Sequence, residues 1–319
     1  MIRFVEHNDI NREKWDLAIE NSLSPSAFAS FEILNLLVNP DTWHALILDD
    51  YRAVMPLPAR KKFSLNYIFP PFFAPQLGIF ANFEISPDLV TDFFDHIPNK
   101  FVTKDLILNK SNPSIQYRGS YFENISHCLD LNHDYQDLYN NFSSNTKRNI
   151  KSGQKHGYVI KIEKNIAPQI IALFENNRGR EKDVNFSKND YSRLEKIALV
   201  LEAANMCENY AVYTPSGQLA AGALFVNDHD RVWFWFSGRD NTLSEGKPLF
   251  FLINEFIKNN AGKDKLLDFN GSRNPNVSHL YKSFGGIPYS FAGFSICNNQ
   301  ILKFLLSFYR KLRTKKRRG

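Results

Sequence analysis

The sequence predicts an α+β fold built on mixed sheets and divided into two domains. Three observations carry this. The chain has 319 residues, 43% of them apolar, enough for two domains of about 150 residues each. Its second half runs through helices, three consecutive strands, a helix, a strand, a helix and a closing strand, and its first half shows a looser version of that succession. No repeat with a period of 20 to 50 residues is visible, so any duplication is one of architecture.

The elements follow in order. Ile2 to Glu6 alternates as a strand, and a helix from Asn11 to Asn21 follows with Asp9 as its expected cap. A second helix spans Phe31 to Val38. Trp43 to Asp49 and Arg52 to Leu57 form a hairpin around Asp49-Asp50. The aromatic, proline-rich passage from Ser64 to Ala81 is expected to be a structured loop, because three prolines interrupt any ladder. A helix at Pro87 to His96 and strands near Thr103 to Leu108 and Ser120 to Asp130 complete the first half.

The second half opens with a long polar helix, Asp134 to about His156, stopped by Gly157. Next are a strand at Tyr158 to Glu163 and helices at Ala167 to Asn176 and Asp190 to Asn205. The hairpin of Tyr210 to Tyr213 with Leu219 to Val226 turns at Pro215-Ser-Gly217, and the strand Arg231 to Ser237 follows. On alternation, that strand carries Trp233 and Trp235 on one face and Phe234 and Phe236 on the other. A helix from Pro248 to Asn259 leads to the buried strand around Leu266 to Phe269, a turn-rich loop to Asn276, a short helix through Val277, Leu280, Tyr281 and Phe284, and a final strand from Tyr289 to Cys297.

Composition excludes several classes. Cys128, Cys207 and Cys297 are odd in number, far apart and in no Cys-x-x-Cys pair, so neither a disulfide framework nor a zinc site is indicated, and no metal is expected. Met1-Ile-Arg-Phe-Val-Glu-His has charges where a signal peptide needs an apolar core, and no window approaches the roughly 20 apolar residues of a spanning helix. The expected location is cytoplasmic. The net charge is +6, but residues 301 to 319 hold eight basic residues and no acidic one; the remainder has 31 basic against 33 acidic residues. The basic character therefore belongs to one tail, whose stripe of Ile301, Leu305, Phe308 and Leu312 suits docking on the body, a peripheral contact with an anionic membrane, or a grip on tRNA.

Candidate chemistry gathers in three places. Trp235, Ser237 and Arg239 at the end of the aromatic strand lead into Gly246-Lys247-Pro248 at a helix start, where backbone N–H groups and the helix dipole can meet a phosphate. A plain strand-to-helix connection accounts for the same residues. On the polar helix, Lys147, Lys151 and Lys155 recur every four residues beside Arg148, so their like charges share a face suited to an anionic partner or to solvent. Asp268 lies inside an apolar strand, which means structural pairing or use as a base. Asn270, Ser272 and Arg273 follow it as donors. No hydrolase triad is supported, because His127, His133, His156 and His279 lack a Gly-x-Ser-x-Gly partner.

Taken together, Pro75-Gln-Leu-Gly78, Thr146-Lys-Arg-Asn-Ile-Lys151, Phe236-Ser-Gly-Arg-Asp240, Leu267-Asp-Phe-Asn-Gly-Ser272 and Tyr281-Lys-Ser-Phe-Gly285 resemble the FemABX-like branch of the GNAT-type acyltransferases over about residues 1 to 297. The resemblance implies two GNAT-like domains, 1–133 and 134–298, each a central mixed sheet flanked by helices, followed by the tail 299–319. It implies an N-acyltransferase that takes an acyl or aminoacyl group from acyl-CoA or aminoacyl-tRNA to an amine of a cell-envelope or saccharide precursor, a small-molecule or lipid-linked acceptor. Tyr281 is then the acid for the leaving group and Asp268 a weaker candidate base. Trp235, Ser237, Arg239, Gly246, Lys247, Asn270, Ser272 and Arg273 would seat the donor, and Gln76, Lys147, Arg148 and Lys151 the acceptor. The sequence departs from the pattern in lacking a Gln/Arg-x-x-Gly-x-Gly/Ala run, which leaves a non-catalytic binding protein of the same fold, or a nucleic-acid binder acting through the tail, as the alternatives.

Overall fold

A computed structural model describes residues 1–62, 64–181, 184–271 and 275–297. The tail and its expected contacts lie outside the described residues. The chain forms two compact units, Met1–Asn124 rejoined by the chain from Ser290, and Ile125–Tyr289. A boundary at 133/134, which the resemblance implies, would give the closing strand wholly to the second domain. In the structure the last part of that strand pairs within the first unit, which places it there.

The first unit contains β1 (Ile2–Val5), α1 (Arg12–Glu20), α2 (Phe31–Leu37), β2 (Trp43–Leu48), β3 (Ala53–Lys62), β4 (Leu65–Ile68), β5 (Phe80–Ala81), α3 (Pro87–Asp95), β6 (Phe101–Ile107) and the start of β7 (Ser120–Asp130). Asn11, not Asp9, caps α1, accepting from the Lys14 N–H at 3.0 Å. β1, β2 and β3 pair antiparallel, β3 continues to β4, β4 runs parallel to β6, and β6 takes Gly293–Cys297 as its other neighbour.

β3 carries Pro56 and Pro58 in mid-strand, which its ladders accommodate. The Ala59 N–H points to Thr42 O at 2.7 Å on the β2 side, so the ring nitrogens one and three residues earlier face the other edge. There the β5 pairing reaches only to Val54, opposite Phe80, and the β4 pairing only to Ala59, opposite Ile68, so neither proline removes a ladder bond. The passage expected as a loop does leave the ladder at Phe69, once Leu65–Ile68 has served as β4. The core of this unit packs Val90, Phe93 and Phe94 of α3 against Met55, Leu57, Phe101 and Leu106.

The second unit begins within β7 and continues through α4 (Tyr135–Asn140), α5 (Ser144–Lys155), β8 (Val159–Ile162), α6 (Ala167–Asn176), α7 (Lys188–Ala203), β9 (Cys207–Tyr213), β10 (Leu219–Asp228), β11 (Arg231–Arg239), α8 (Pro248–Asn260), β12 (Leu266–Asp268), α9 (Pro275–Ser283) and the start of β13 (Ile287–Cys297). The expected single helix from Asp134 to His156 is two. Ser143 takes extended dihedrals and its hydroxyl accepts from the Thr146 N–H at 3.1 Å, starting a new helix.

The sheet order here is β8, β9, β10, β11, β12 and the end of β7. All pairs are antiparallel except β11 with β12. One face is covered by α8 and α9, where Phe225 and Phe256 stack at 3.6 Å and Leu252, Ile253 and Ile257 are fully buried. The other face takes α6, which approaches closely because Gly222 and Gly238 are partners on β10 and β11. A Cβ on Gly238 would lie 2.2 Å from Ile170 O, and one on Gly222 2.4 Å from the Ile170 side chain.

Candidate functional site

The β11–β12 pair is short. Register runs Arg231 to Leu266, Val232 to Leu267 and Trp233 to Asp268, and then stops, while β11 continues to Arg239. Among the described residues no strand pairs with β11 beyond Trp233 on that side. The parallel pair thus opens into a wedge, across which the Asn270 amide reaches Trp235 O at the outer hydrogen-bond limit of 3.5 Å.

A bulge shapes the β11 side of the wedge. Leu224 pairs with Phe236 but Phe225 with Phe234, so Trp235 is an extra residue on β11. The strict alternation expected for the four aromatics is broken there. Phe234 packs toward Phe225, Phe269 and Tyr281 on the α8/α9 face, whereas Phe236 lies 4.8 Å from Phe174 of α6.

Asp268 ends β12 fully buried. Its Oδ1 accepts from Ser126 Oγ at 2.7 Å and the Asn270 N–H at 2.9 Å. Its Oδ2 accepts from the Arg231 guanidinium, the Tyr289 hydroxyl and, at 3.4 Å, the Cys128 thiol. Ser126 Oγ in turn accepts the Gly271 N–H at 2.8 Å. Asn270 and Gly271 both have positive φ, 57° and 48°, so carboxylate and hydroxyl together pin the left-handed turn that carries the chain away from β11. Burial works against the Arg231 charge, but Asp268 carries its pKa above the ordinary value. Burial and then Asp268 raise the Tyr289 phenol.

Tyr281 lies on the α9 face over this wedge. Its ring stacks on Phe269 at 4.8 Å and 17° and meets Phe234 edge-on at 6.1 Å, bridging the two diverging strands. Only 7% of it is exposed; burial first, and then the Asp268 charge, push its pKa well above the usual phenol value, so it is uncharged at neutral pH. Its hydroxyl makes no hydrogen bond to the described residues.

The remaining sequence-picked residues fall around this centre. Ser237 and Arg239 lie on the part of β11 that extends past its pairing with β12 and still pairs with β10; Arg239 is exposed and its Nε donates to Asn241 Oδ1 at 3.2 Å. Lys247 adopts a left-handed conformation before α8, and Gly246 is required there because a Cβ would come within 2.5 Å of the Tyr158 ring. That helix start offers little to a phosphate. Pro248 has no N–H, and the Phe250 and Phe251 N–H groups already donate to Lys247 O. Lys147 Nζ donates to Asn140 O at 2.9 Å, closing the end of α4, and Arg148 donates to Asn145. Lys151 is exposed. Gln76 belongs to the first unit, buried, with its Oε1 accepting from the Lys110 N–H at 3.0 Å. Ser272 and Arg273 lie outside the described residues.

Sequence reasoning missed Ser126, Arg231 and Tyr289, because they converge on Asp268 only through the pairing of β7, β11, β12 and β13. A buried aspartate in an apolar strand was the signal that partners existed. That reasoning named His127 only in setting aside a hydrolase triad, and the ring lies 6.4 Å from that of Tyr281. Among the described residues no group of three or more His, Cys, Asp and Glu side chains could hold a metal ion, none of the cysteines is in a disulfide, and no helix is long and apolar enough to cross a membrane.

Residues 140–275 match the family described as acetyltransferase (GNAT) domain. No curated protein matches the sequence. Among solved structures, the chain is similar to FemX with a TM-score of 0.66 at 11% identity, covering 93% of this chain and 98% of that one. It is similar to L-PGS from Bacillus licheniformis with a TM-score of 0.56 at 10% identity, covering 96% and 97%. It is also similar to the C-terminal domain of a candidate lysylphosphatidylglycerol synthetase from Agrobacterium fabrum with a TM-score of 0.53 at 11% identity, covering 91% and 95%. At these identities the likeness is one of fold. Residues 140–275 thus carry an acetyltransferase (GNAT) domain, in a chain whose fold is shared with FemX.

Proposed function

We propose that the protein is an N-acyltransferase that moves an acyl or aminoacyl group, from acyl-CoA or aminoacyl-tRNA, to an amine of a cell-envelope or saccharide precursor. The observation that carries this reading is the wedge: past Trp233 and Asp268 no strand among the described residues pairs with β11 on its β12 side, so an extended donor arm can run along that edge. A buried, protonated Tyr281 stands over that edge, where it can supply a proton to the departing thiolate or ribose oxygen. The name of the Agrobacterium structure joins a lysyl group to a lipid, which supports an aminoacyl donor and a lipid-linked acceptor as one version of the chemistry.

The test is a transfer assay with labelled acetyl-CoA, a long-chain acyl-CoA and mixed aminoacyl-tRNA against amino sugars, peptidoglycan precursors and lipid vesicles. Transfer from one donor class to an amine is expected. Tyr281→Phe should lower kcat by about 100-fold while changing donor KM little, since general acids contribute roughly 10²–10⁴-fold. Absence of transfer from every donor refutes the reading, and an unchanged kcat removes Tyr281 from it.

A further inference from the structure

His127 lies on β7, across β12 from β11. Its carbonyl accepts the Phe269 N–H at 3.0 Å, so it is level with the first residue beyond the β11–β12 pair, where the wedge opens. Only 4% of the residue is exposed, yet its Nδ1 is buried with no hydrogen-bond partner among the described residues. An unmet buried polar atom costs about 1–3 kcal/mol, and folded proteins keep few. The glycine that follows α9 keeps this histidine close to Tyr281: a Cβ on Gly286 would lie 2.9 Å from Tyr281 O and 3.1 Å from His127 Cβ.

The charged and titratable groups facing the ring are Lys282 and Tyr281 from α9 and Asp268 from β12. Burial, then Lys282, hold its pKa below the ordinary histidine value, and Asp268 opposes them. The imidazole is therefore neutral at pH 7 and keeps a lone pair. A neutral imidazole nitrogen and a neutral phenol, neither with a hydrogen-bond partner among the described residues, thus belong to rings 6.4 Å apart.

We propose that His127 is a second catalytic residue of this site, its Nδ1 taking the proton that the attacking amine releases. The inference rests on the acyl-transfer reading. The amine lone pair forms a C–N bond to the acyl carbon, and the carbonyl π pair moves to oxygen. His127 takes one proton from the resulting ammonium nitrogen. The oxygen pair then re-forms the carbonyl, the bond to the donor's sulfur or ribose oxygen breaks with its electrons, and Tyr281 protonates that atom. One proton passing from imidazolium to tyrosinate restores both residues.

Two measurements test this. Histidine labelled with ¹⁵N, with the His127 signals assigned by their loss in His127→Gln, reports the ring in the wild-type protein at pH 7.5 without any ligand. An unprotonated Nδ1 is expected; a proton on Nδ1 overturns the proposal. With acetyl-CoA as donor and glucosamine as acceptor, and aminoacyl-tRNA as the alternative donor, His127→Gln is expected to lower kcat about 100-fold with donor KM unchanged, within the range for a general base. Added imidazole should restore part of the activity of His127→Ala, which a merely structural role would not allow. A kcat within about threefold of wild type, or no rescue by imidazole, overturns the proposal while leaving acyl transfer intact. If wild type shows no transfer from any donor to any acceptor of the wider transfer assay, the functional reading fails and the ring's protonation decides the histidine's part separately.

Discussion

Replacing Asp268 by alanine is expected to be among the most damaging single changes in the second unit. The carboxylate is fully buried and the Arg231 side chain facing it is 7% exposed, so the substitution strands a positive charge away from water. It also deprives Ser126 Oγ, the Asn270 N–H and the Tyr289 hydroxyl of their acceptor. Breaking a buried ion pair from one side costs about 3–5 kcal/mol, a large part of the roughly 5–15 kcal/mol that holds a domain folded. Removing both charges is far milder, because a well-packed apolar pair of similar volume is often neutral. Asp268→Ala with Arg231→Met should therefore recover about 2 kcal/mol or more relative to Asp268→Ala alone. Urea unfolding followed by tryptophan fluorescence suits the question, since Trp233 and Trp235 are in this unit and Trp15 and Trp43 in the other. A single mutant that loses less than about 1 kcal/mol, or a double mutant no more stable than the single, would refute the idea that the pair is desolvated and coupled.

Three further outcomes are expected. Gly238→Ala would bring a Cβ within 2.2 Å of the Ile170 carbonyl and 2.8 Å of the Phe174 nitrogen and should cost at least the roughly 1–3 kcal/mol typical of overpacking; Gly217→Ala, with open space but a φ of 82°, should cost about 1–2 kcal/mol, and the reverse ranking in thermal melts would contradict the close approach of α6. His44 is pulled below 6.5 by burial and by Lys100, so the unfolded chain binds more protons than the folded one as pH falls through 6.5; stability is then present above that pH and lost as it falls toward the folded pKa. Melting temperatures at pH 7.5 and 5.0 should show a drop that His44→Gln lessens, and an equal drop in both proteins would exclude His44 as the cause. The Cys207 thiol, pushed up to about 12 by burial and the nearby Glu202, should resist iodoacetamide at pH 8 in the native protein, as peptide mass mapping would show.

Much of the fold was legible because local signals agreed with it. Ser86 before Pro87 starts α3, and β7 spans the residues its alternation marked. Where the reading failed, a few side chains decided. Ser143 split one helix into two, since a hydroxyl can serve as a cap or sit mid-helix and only its dihedrals tell which. The extra residue at Trp235 could not be counted from one strand alone, because a bulge is a property of two. For the site, Asp268 was visible as a carboxylate inside an apolar strand, and Tyr281 was singled out through the family resemblance. Ser126, His127, Arg231 and Tyr289 were ordinary residues until strand pairing brought them to the same two residues.

The path of the chain through its two units has a bearing on synthesis. β7 leaves the first unit between Asn124 and Ile125, and β13 re-enters it between Tyr289 and Ser290, so the residues between them emerge from the ribosome as one uninterrupted block. β6 must wait for Gly293–Cys297, nearly two hundred residues later, to gain its second neighbour, as the pairing of Thr103 with Cys297 makes plain. Ring closure over that span is entropically costly and slow. The block carrying the catalytic candidates can therefore mature first, and the unit translated first is the one finished last. A chain stalled before Ser290 would leave the β6 edge open to other strands, so nascent molecules of this protein carry their aggregation hazard at the beginning of the sequence until its last strand is made.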